Sequence, residues 1–175
     1  GTSAIVSGGH LITKSMFPAH ILPAVATITT MVNFLLSLPL LVFFMLLLGA
    51  DFHWTLLLLP VPIAVQFVMQ YGLTLFLGAL NVHFRDVQHI LGNLLTFVFF
   101  LCPIIYPAKV VPERFRFTLD LNPLAQLTQI YHALIMDGSL PALYPALYVA
   151  SFTLLCLAVG NLVYNHYRES FAELL

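Results

Sequence analysis

The sequence has 175 residues, of which 61% are hydrophobic and only 7% are charged, and its mean hydropathy is +0.99. Soluble domains carry about 25% charged residues, so this composition predicts a membrane protein. Six lysines and arginines against seven acidic residues give a formal net charge of -1. A chain without a basic surface lacks the electrostatic footprint of nucleic-acid binding, which argues against nucleic-acid partners.

Residues 1–23 precede the first long apolar segment and are interrupted by glycine and proline. Pro18 and Pro23 each disfavour a helix at the residue before them. We therefore expect a short helix at the membrane surface here, with Lys14 near the membrane edge.

Four uncharged apolar segments are long enough to cross a bilayer, and they cover residues 24–48, 56–80, 87–107 and 142–164. A helix needs about 20 apolar residues to cross a hydrocarbon layer of about 30 Å. We therefore predict an all-α polytopic membrane protein, with four transmembrane helices in a single domain over residues 1–175.

The second predicted span carries a regular series of polar residues, Gln66, Gln70 and Thr74. A spacing of four residues places them on one face of a helix. Uncharged amides bind sugar hydroxyls without trapping them, so this stripe could line a hydrophilic transport path. Ordinary hydrogen bonding between helices, worth about 1 kcal/mol or less per contact, explains the same pattern, and both interpretations stay open.

The third predicted span places Phe97 and Phe100 on one face with Asn93. These side chains could present a stacking surface to passing sugar rings and so belong to the same transport path. Aromatic residues that face lipid or pack in a core are also common in such helices.

Residues 108–139 lie between the last two predicted spans and differ in charge along their length. The first part contains proline and charged residues that are costly in lipid, whereas Leu121–Met136 is uncharged but too short for a comfortable span. This order predicts a short segment that dips into the membrane or lies at its surface. Asn122-Pro123 is typical of a cap and first residue of a helix.

The last span begins with a tandem repeat, Pro141–Tyr144 followed by Pro145–Tyr148. The repeat places Ala142, Ala146 and Ala150 on one helix face, a pattern that permits close helix packing.

Motifs for catalysis, metal binding and nucleotide binding are missing from the sequence. The histidines have no metal-ligand spacing, and the phosphate-binding pattern GxxxxGK followed by Ser or Thr does not occur. Cys102 and Cys156 lie in apolar runs without a ligand-spaced neighbour, which favours free thiols. A membrane enzyme acting on polyprenyl-linked sugars would need carboxylates near the membrane surface, and no paired acids are present. We therefore expect a non-enzymatic chain without a catalytic, metal or cofactor site.

Four motifs together resemble, in order and spacing, the ABC-2 family of exporter permeases. They are Lys14–Pro18, Phe84–Asp86, Pro103–Pro107 and Leu121–Leu124. The chain is most similar to the branch that exports O-antigen, capsular and teichoic-acid polysaccharides, and it looks like the C-terminal two-thirds of such a permease. The resemblance implies six spans preceded by an amphipathic helix, two permease copies and two cytoplasmic ATPase subunits.

The resemblance implies ATP-driven export of a lipid-linked polysaccharide across the bacterial plasma (inner) membrane. The expected partners are a second permease copy, a cytoplasmic ATP-binding subunit that holds ATP and Mg, membrane lipid, and the polyprenyl-linked glycan itself. The alternatives are an ABC-2 permease for drugs or small lipids and the membrane enzyme considered above.

The resemblance also implies an orientation and residue roles. Positive charges are equally distributed between the two sides, so the positive-inside rule gives no orientation. The family places residues 1–23, residues 84–86 and the C-terminus inside, and the outer gate at 108–139. The implied docking residues for the ATPase are Lys14, Phe17, Pro18, Arg85 and Asp86, and the implied gate residues are Tyr106, Pro107, Asn122 and Pro123. For Arg85-Asp86, anchoring a helix end at the lipid headgroups is an equal alternative.

Overall fold

The computed structural model describes residues 21–84, 86–102 and 111–167, apart from the side chains of His83 and Phe115. These residues form helices joined by short turns, with no strand among them. The α-helices are α1 (Ile21–Leu47), α2 (Pro60–His83), α3 (Val87–Leu101), α4 (Arg116–Asp120), α5 (Pro123–Ile135) and α6 (Leu143–Tyr167). Short 3-10 helices cover Trp54–Leu58 and Glu113–Phe115.

Helix α1 corresponds to the first predicted span. Its 27 residues extend about 40 Å at 1.5 Å per residue, which exceeds the hydrocarbon thickness. Most of its large apolar side chains are exposed; Leu36, for example, is 69% exposed. Such a surface is suited to contact with lipid and not with water. The helix ends where Gly49 adopts a φ of 64°, and the Ala50 N–H donates to the Met45 carbonyl over 2.9 Å, as in a Schellman motif.

Within the described residues, three helical segments are long and apolar enough to cross a membrane, namely Ile21–Leu47, Trp54–Val82 and Leu143–Tyr167. They confirm the prediction of an all-α polytopic membrane protein. The third predicted span, 87–107, differs: the described helix α3 has 15 residues and is about 22 Å long, and residues 103–107 lie outside the described part of the chain.

The chain divides into two compact units. The first contains the described parts of Gly1–Asp51, Phe67–Gln88 and Leu155–Leu175, and the second contains Phe52–Gln66 and His89–Leu154. Helices α2 and α6 contribute residues to both units. The core of the first unit includes Leu75, Ala79, Val82 and Tyr164.

In the first unit, α2 and α6 touch through their backbones at two glycines. A Cβ atom on Gly72 would lie 2.6 Å from the carbonyl carbon of Cys156, and one on Gly160 would overlap the carbonyl oxygen of Gly72. Small residues allow such contact between membrane helices. Gly72 and Gly160 therefore form a point of direct backbone contact between α2 and α6. Close packing on the alanine face of the tandem repeat stays a prediction.

The second unit is built around the short helix α5. One cluster of buried residues in this unit contains Cys102, Leu119 and Ala125. The 13 residues of α5 extend about 20 Å, so α5 is too short to cross the membrane, as the sequence indicated for this segment.

Candidate functional site

The candidate site is helix α5 with the residues that hold it. Asn122 caps its N-terminus: the Asn122 Oδ1 accepts hydrogen bonds from the backbone N–H groups of Leu124, over 3.0 Å, and Ala125, over 3.4 Å. Pro123 occupies the first turn, where its missing N–H costs nothing. The prediction of a cap and helix start at Asn122-Pro123 is confirmed. The Asn122 Nδ2 also donates to Cys102 Sγ over 3.3 Å, which ties the cap to the residue that follows α3.

Gln126 lies on the buried face of α5, and its side chain is only 1% exposed. Its Nε2 donates to the carbonyl oxygen of Leu119 over 3.1 Å, whereas its Oε1 has no hydrogen-bond partner within the described residues. This glutamine was missed in the sequence. Its signal was an amide one turn after the cap asparagine, in an otherwise apolar segment.

The middle of α5 is joined to α2 by a hydrogen bond between side chains. The Tyr131 hydroxyl donates to Gln66 Oε1 over 2.7 Å. Burial raises the pKa of the Tyr131 phenol above its usual value, so the hydroxyl keeps its proton and remains the donor. Gln66 therefore makes a hydrogen bond between helices, which was one of the two interpretations of the polar stripe.

The other two members of the stripe are connected within α2. The Thr74 hydroxyl donates to the backbone carbonyl of Gln70 over 2.8 Å, Thr74 is buried, and Gln70 is half-buried. A hydroxyl satisfied by its own helix does not need a partner elsewhere. A transport path along Gln66, Gln70 and Thr74 stays a prediction.

The C-terminal end of α5 packs against the 3-10 helix Trp54–Leu58. The buried Thr55 hydroxyl donates to the carbonyl oxygen of Leu134 over 2.7 Å. Beyond the helix, Gly138 has a φ of 59°, and a Cβ atom there would overlap the imidazole ring of His53. Glycine is therefore required at Gly138 by its backbone conformation and by its neighbour.

The tandem repeat on α6 holds the turn before α5. The Tyr148 hydroxyl donates to the Leu121 carbonyl over 2.7 Å, and the Tyr144 hydroxyl donates to the Asp120 carbonyl over 3.4 Å. The two rings stack with their centroids 6.0 Å apart. The repeated Pro-Ala-Leu-Tyr unit thus supplies two tyrosines one turn apart that bind consecutive carbonyl groups.

The charged groups of the described residues lie in turns, in a short 3-10 helix and at the ends of helices. Arg116 and Glu113 form an ion pair at 3.8 Å with both side chains exposed, and such a pair contributes about 0–1 kcal/mol. Asp86 is exposed directly before α3, where a carboxylate is favourable at a helix N-terminus. The predicted residues Lys14, Phe17, Pro18, Arg85, Tyr106 and Pro107 lie outside the described residues.

Asn93, Phe97 and Phe100 lie on the exposed surface of α3, which has no buried residue. Phe97 is 62% exposed and Phe100 is 63% exposed. The structure therefore places these residues at the surface of this chain, where lipid or another polypeptide can reach them, and it does not bury them in a core.

Comparison with known proteins gives a family and several relatives. The family model described as ABC-2 type transporter matches residues 5–136. The chain is 37% identical, over 175 residues, to the O-antigen export system permease protein RfbA of Myxococcus xanthus, covering 99% of this chain and 67% of that protein. It is 27% identical, over 175 residues, to a Klebsiella pneumoniae protein of the same name, covering 98% of this chain and 66% of the relative.

A more distant relative is the polysialic acid transport protein KpsM of Escherichia coli. It is 25% identical over 103 residues, covering 59% of this chain and 40% of that protein. The chain thus spans about two thirds of the length of the RfbA relatives. The family match includes α1 to α5, with their two membrane spans and the short helix of the candidate site. The chain belongs to the ABC-2 type transporter family.

Proposed function

We propose that this chain is the membrane-spanning part of an ATP-driven exporter that moves a lipid-linked polysaccharide across the bacterial inner membrane. The observation that carries this proposal is the similarity over 99% of the chain to a protein named as an O-antigen export permease. The name of the more distant relative also refers to transport of a polysaccharide. These names favour a glycan over a drug or a small lipid as the exported molecule.

ATP hydrolysis belongs, in this proposal, to a separate cytoplasmic subunit that binds ATP and Mg. The docking surface consists of Lys14, Phe17, Pro18, Arg85 and Asp86. The exposure of Asp86 at the start of α3 supports this role, because a docking residue must be accessible to the partner. Movement of the ATPase would then act on α3 through its N-terminal end.

Helix α5 is the outer gate in this proposal, together with Tyr106, Pro107, Asn122 and Pro123. It lies between two membrane segments in sequence, and among its described contacts are neutral hydrogen bonds to Gln66 and Thr55, while Tyr148 binds the turn before it. Hydrogen bonds of this kind contribute about 1 kcal/mol or less each in membrane proteins. A helix held in this way can be displaced by a modest force and can return to the same position.

The transport path is formed, in this proposal, between two copies of the permease. The polar stripe Gln66, Gln70 and Thr74 provides hydrogen-bonding groups, and Asn93, Phe97 and Phe100 provide a surface for sugar rings. The exposure of Phe97 and Phe100 supports a surface that a glycan can reach. An aromatic side chain can stack on the apolar face of a sugar ring without holding the sugar in one position.

The partner ATPase is tested by purifying the full-length protein in detergent and probing for a co-purifying ATP-binding subunit. We expect the subunit to copurify with the parent protein, and its yield to fall several-fold when Lys14 or Phe17 is replaced by alanine. Leu36→Ala, on the exposed surface of α1, serves as the control and should leave the yield unchanged. Normal glycan export in cells that lack any such ATPase would refute the mechanism.

The exported molecule is tested in cells that lack the protein. We expect a lipid-linked glycan to accumulate on the cytoplasmic side and to return to normal when the full-length gene is restored. Accumulation of a drug or a small lipid, with glycan export unaffected, would instead support the alternative permease function.

A further inference from the structure

The second unit contains a crevice with a volume of about 360 Å³. Its walls come from three helices: Val61 and Val65 of α2, Leu127 and Ile130 of α5, and Val149 and Ala150 of α6. The remaining lining residues are leucine, alanine or proline. The crevice therefore offers a ligand an aliphatic surface and no side-chain hydrogen-bonding group.

A crevice of this size and composition is suited to hydrocarbon. Its volume falls within the range of about 300–1,000 Å³ that is common for ligand pockets. A water molecule needs two to four polar partners, which this lining does not provide, and a sugar or phosphate would be left without hydrogen bonds. The occupant must be apolar.

The crevice lies at the depth of the membrane, because its walls belong to two membrane spans. Ala150 is seven residues after the start of α6 at Leu143, which corresponds to about 10 Å along the helix axis. Trp54 and Tyr144 lie near the N-terminal ends of these two spans, and Trp and Tyr are enriched where the hydrocarbon meets the headgroups. The crevice thus begins near this interface and extends into the hydrocarbon.

The residues near the opening of the crevice indicate which environment the crevice opens to. Val61 lines it and is 62% exposed, while Leu57 and Leu143, at the same ends of the two spans, are 82% and 74% exposed. In a membrane these aliphatic side chains contact lipid chains. Hydrocarbon is therefore the medium that fills a crevice open on this surface.

We propose that the crevice is a binding site for one acyl chain of a bilayer phospholipid, which packs against the gate helix α5. Bilayer phospholipid surrounds the protein at high concentration, so mass action fills the site even when the affinity is low. The headgroup remains at the interface and needs no partner in the crevice. The chain contacts Leu127 and Ile130 on α5 and so supports that helix from the side of α2 and α6.

The test uses the full-length protein in phosphatidylethanolamine vesicles that contain a small fraction of a phospholipid with a diazirine in the middle of one acyl chain. After illumination, mass spectrometry identifies the modified peptides. We expect the crevice residues of α2, α5 and α6 to be modified several-fold more than the exposed face of α1 around Leu36, which contacts lipid without a crevice. Equal modification at both places would overturn the proposal.

Two variants distinguish a chain inside the crevice from lipid at the surface. Ala150→Phe fills the crevice and should reduce its modification several-fold, whereas Leu154→Phe, four residues further at an exposed position, should leave it unchanged. If Ala150→Phe does not fold, Ala146→Leu, also in the lining, serves the same purpose. Unchanged modification in the filled variant would overturn the proposal. Modification only by a polyprenyl phosphate probe carrying the same diazirine would also overturn it and assign a different occupant.

Discussion

Individual residues of this chain act mainly by allowing backbones to approach or by completing backbone hydrogen bonds. Gly72 and Gly160 bring α2 and α6 into direct contact, Gly138 accommodates His53, and Asn122 completes the first turn of α5. In a membrane the hydrophobic effect does not drive helices together. Close packing and satisfied polar groups therefore decide which arrangement is stable.

Gly160→Ala should destabilise the protein, because the added Cβ would overlap the carbonyl oxygen of Gly72. Overpacking of this kind costs about 1–3 kcal/mol. The measurement is the midpoint of thermal unfolding of the purified full-length protein. Gly92→Ala is the matched control, since a Cβ atom at Gly92 would have no neighbour within 4 Å apart from the adjoining backbone of its own helix, and alanine is favoured over glycine in a helix by about 0.5–1 kcal/mol. Equal effects of the two substitutions would contradict the contact between α2 and α6.

Asn122→Ala should lower stability by about 1 kcal/mol, because two backbone N–H groups of α5 lose their acceptor. Asn122→Asp keeps the capping oxygen and should lose less. The same unfolding measurement applies. Asn165→Ala removes only an exposed side-chain hydrogen bond to Asn161, so its effect should stay within about 0.5 kcal/mol. A loss at Asn165 as large as that at Asn122 would argue against the capping role.

At the scale of elements, α5 is the best-connected short helix of the described chain. Its start is tied to the residue after α3, its middle to α2, and its end to the 3-10 helix Trp54–Leu58. Of these three contacts, only the Tyr131 bond joins the side chains of two α-helices. This bond is therefore the one whose loss most directly tests how α5 is held.

Replacing Tyr131 by Phe and Gln66 by Leu, singly and together, should reveal a coupling free energy of about 0.6 kcal/mol, and at most about 1.7 kcal/mol. Each single change removes the hydrogen bond between the two side chains, whereas the double change removes both of its polar groups. Unfolding midpoints of the four proteins give the coupling. Gln66→Leu combined with Tyr148→Phe is the control, because the Tyr148 hydroxyl donates to the Leu121 carbonyl, and these effects should add. Additive effects for Tyr131 and Gln66 would mean that their hydrogen bond does not form in solution.

The elements themselves were largely predictable from the sequence. Uncharged apolar segments indicated the spans found as Ile21–Leu47, Trp54–Val82 and Leu143–Tyr167, and the charge pattern around Asn122 indicated a helix too short to cross. The partners of side chains were not predictable, because Tyr131 and Gln66 are separated by 65 residues. The glycine contact escaped notice for the same reason: nothing local shows that α2 and α6 are neighbours.

At the scale of the whole molecule, much of the apolar surface of the described chain is exposed. On α1 and α3 this surface includes Leu36, Phe97 and Phe100. Lipid, a second permease copy and a transport path are all compatible with exposure of this kind. A transport path contains water, whereas lipid and a packed interface with a second permease copy do not. Access to water therefore distinguishes the path from the other two environments.

Phe97→Cys should react with a hydrophilic, membrane-impermeant maleimide if α3 lines the proposed path. Leu36→Cys on α1 is the control, and it should react several-fold more slowly, because a thiol in lipid does not form the reactive thiolate. Cys102 and Cys156 are buried and are replaced by alanine beforehand. The measurement is the labelling rate in membranes that contain the full-length protein and its ATPase. Equally slow labelling at both positions would assign Phe97 to lipid or to a closed interface.

The contact between Gly72 and Gly160 also has a consequence for the order of biosynthesis. Gly160 follows Gly72 by 88 residues, so at a synthesis rate of about 5–20 residues per second, α6 emerges roughly 4–18 s after the glycine of α2 has been made. During this interval the surface of α2 at Gly72, where the missing side chain leaves a notch, has no contact with α6. It is exposed to any neighbouring helix or translocation component that is present. A helix with a small residue at the same level could occupy the notch first, and assembly would then have to wait for its release.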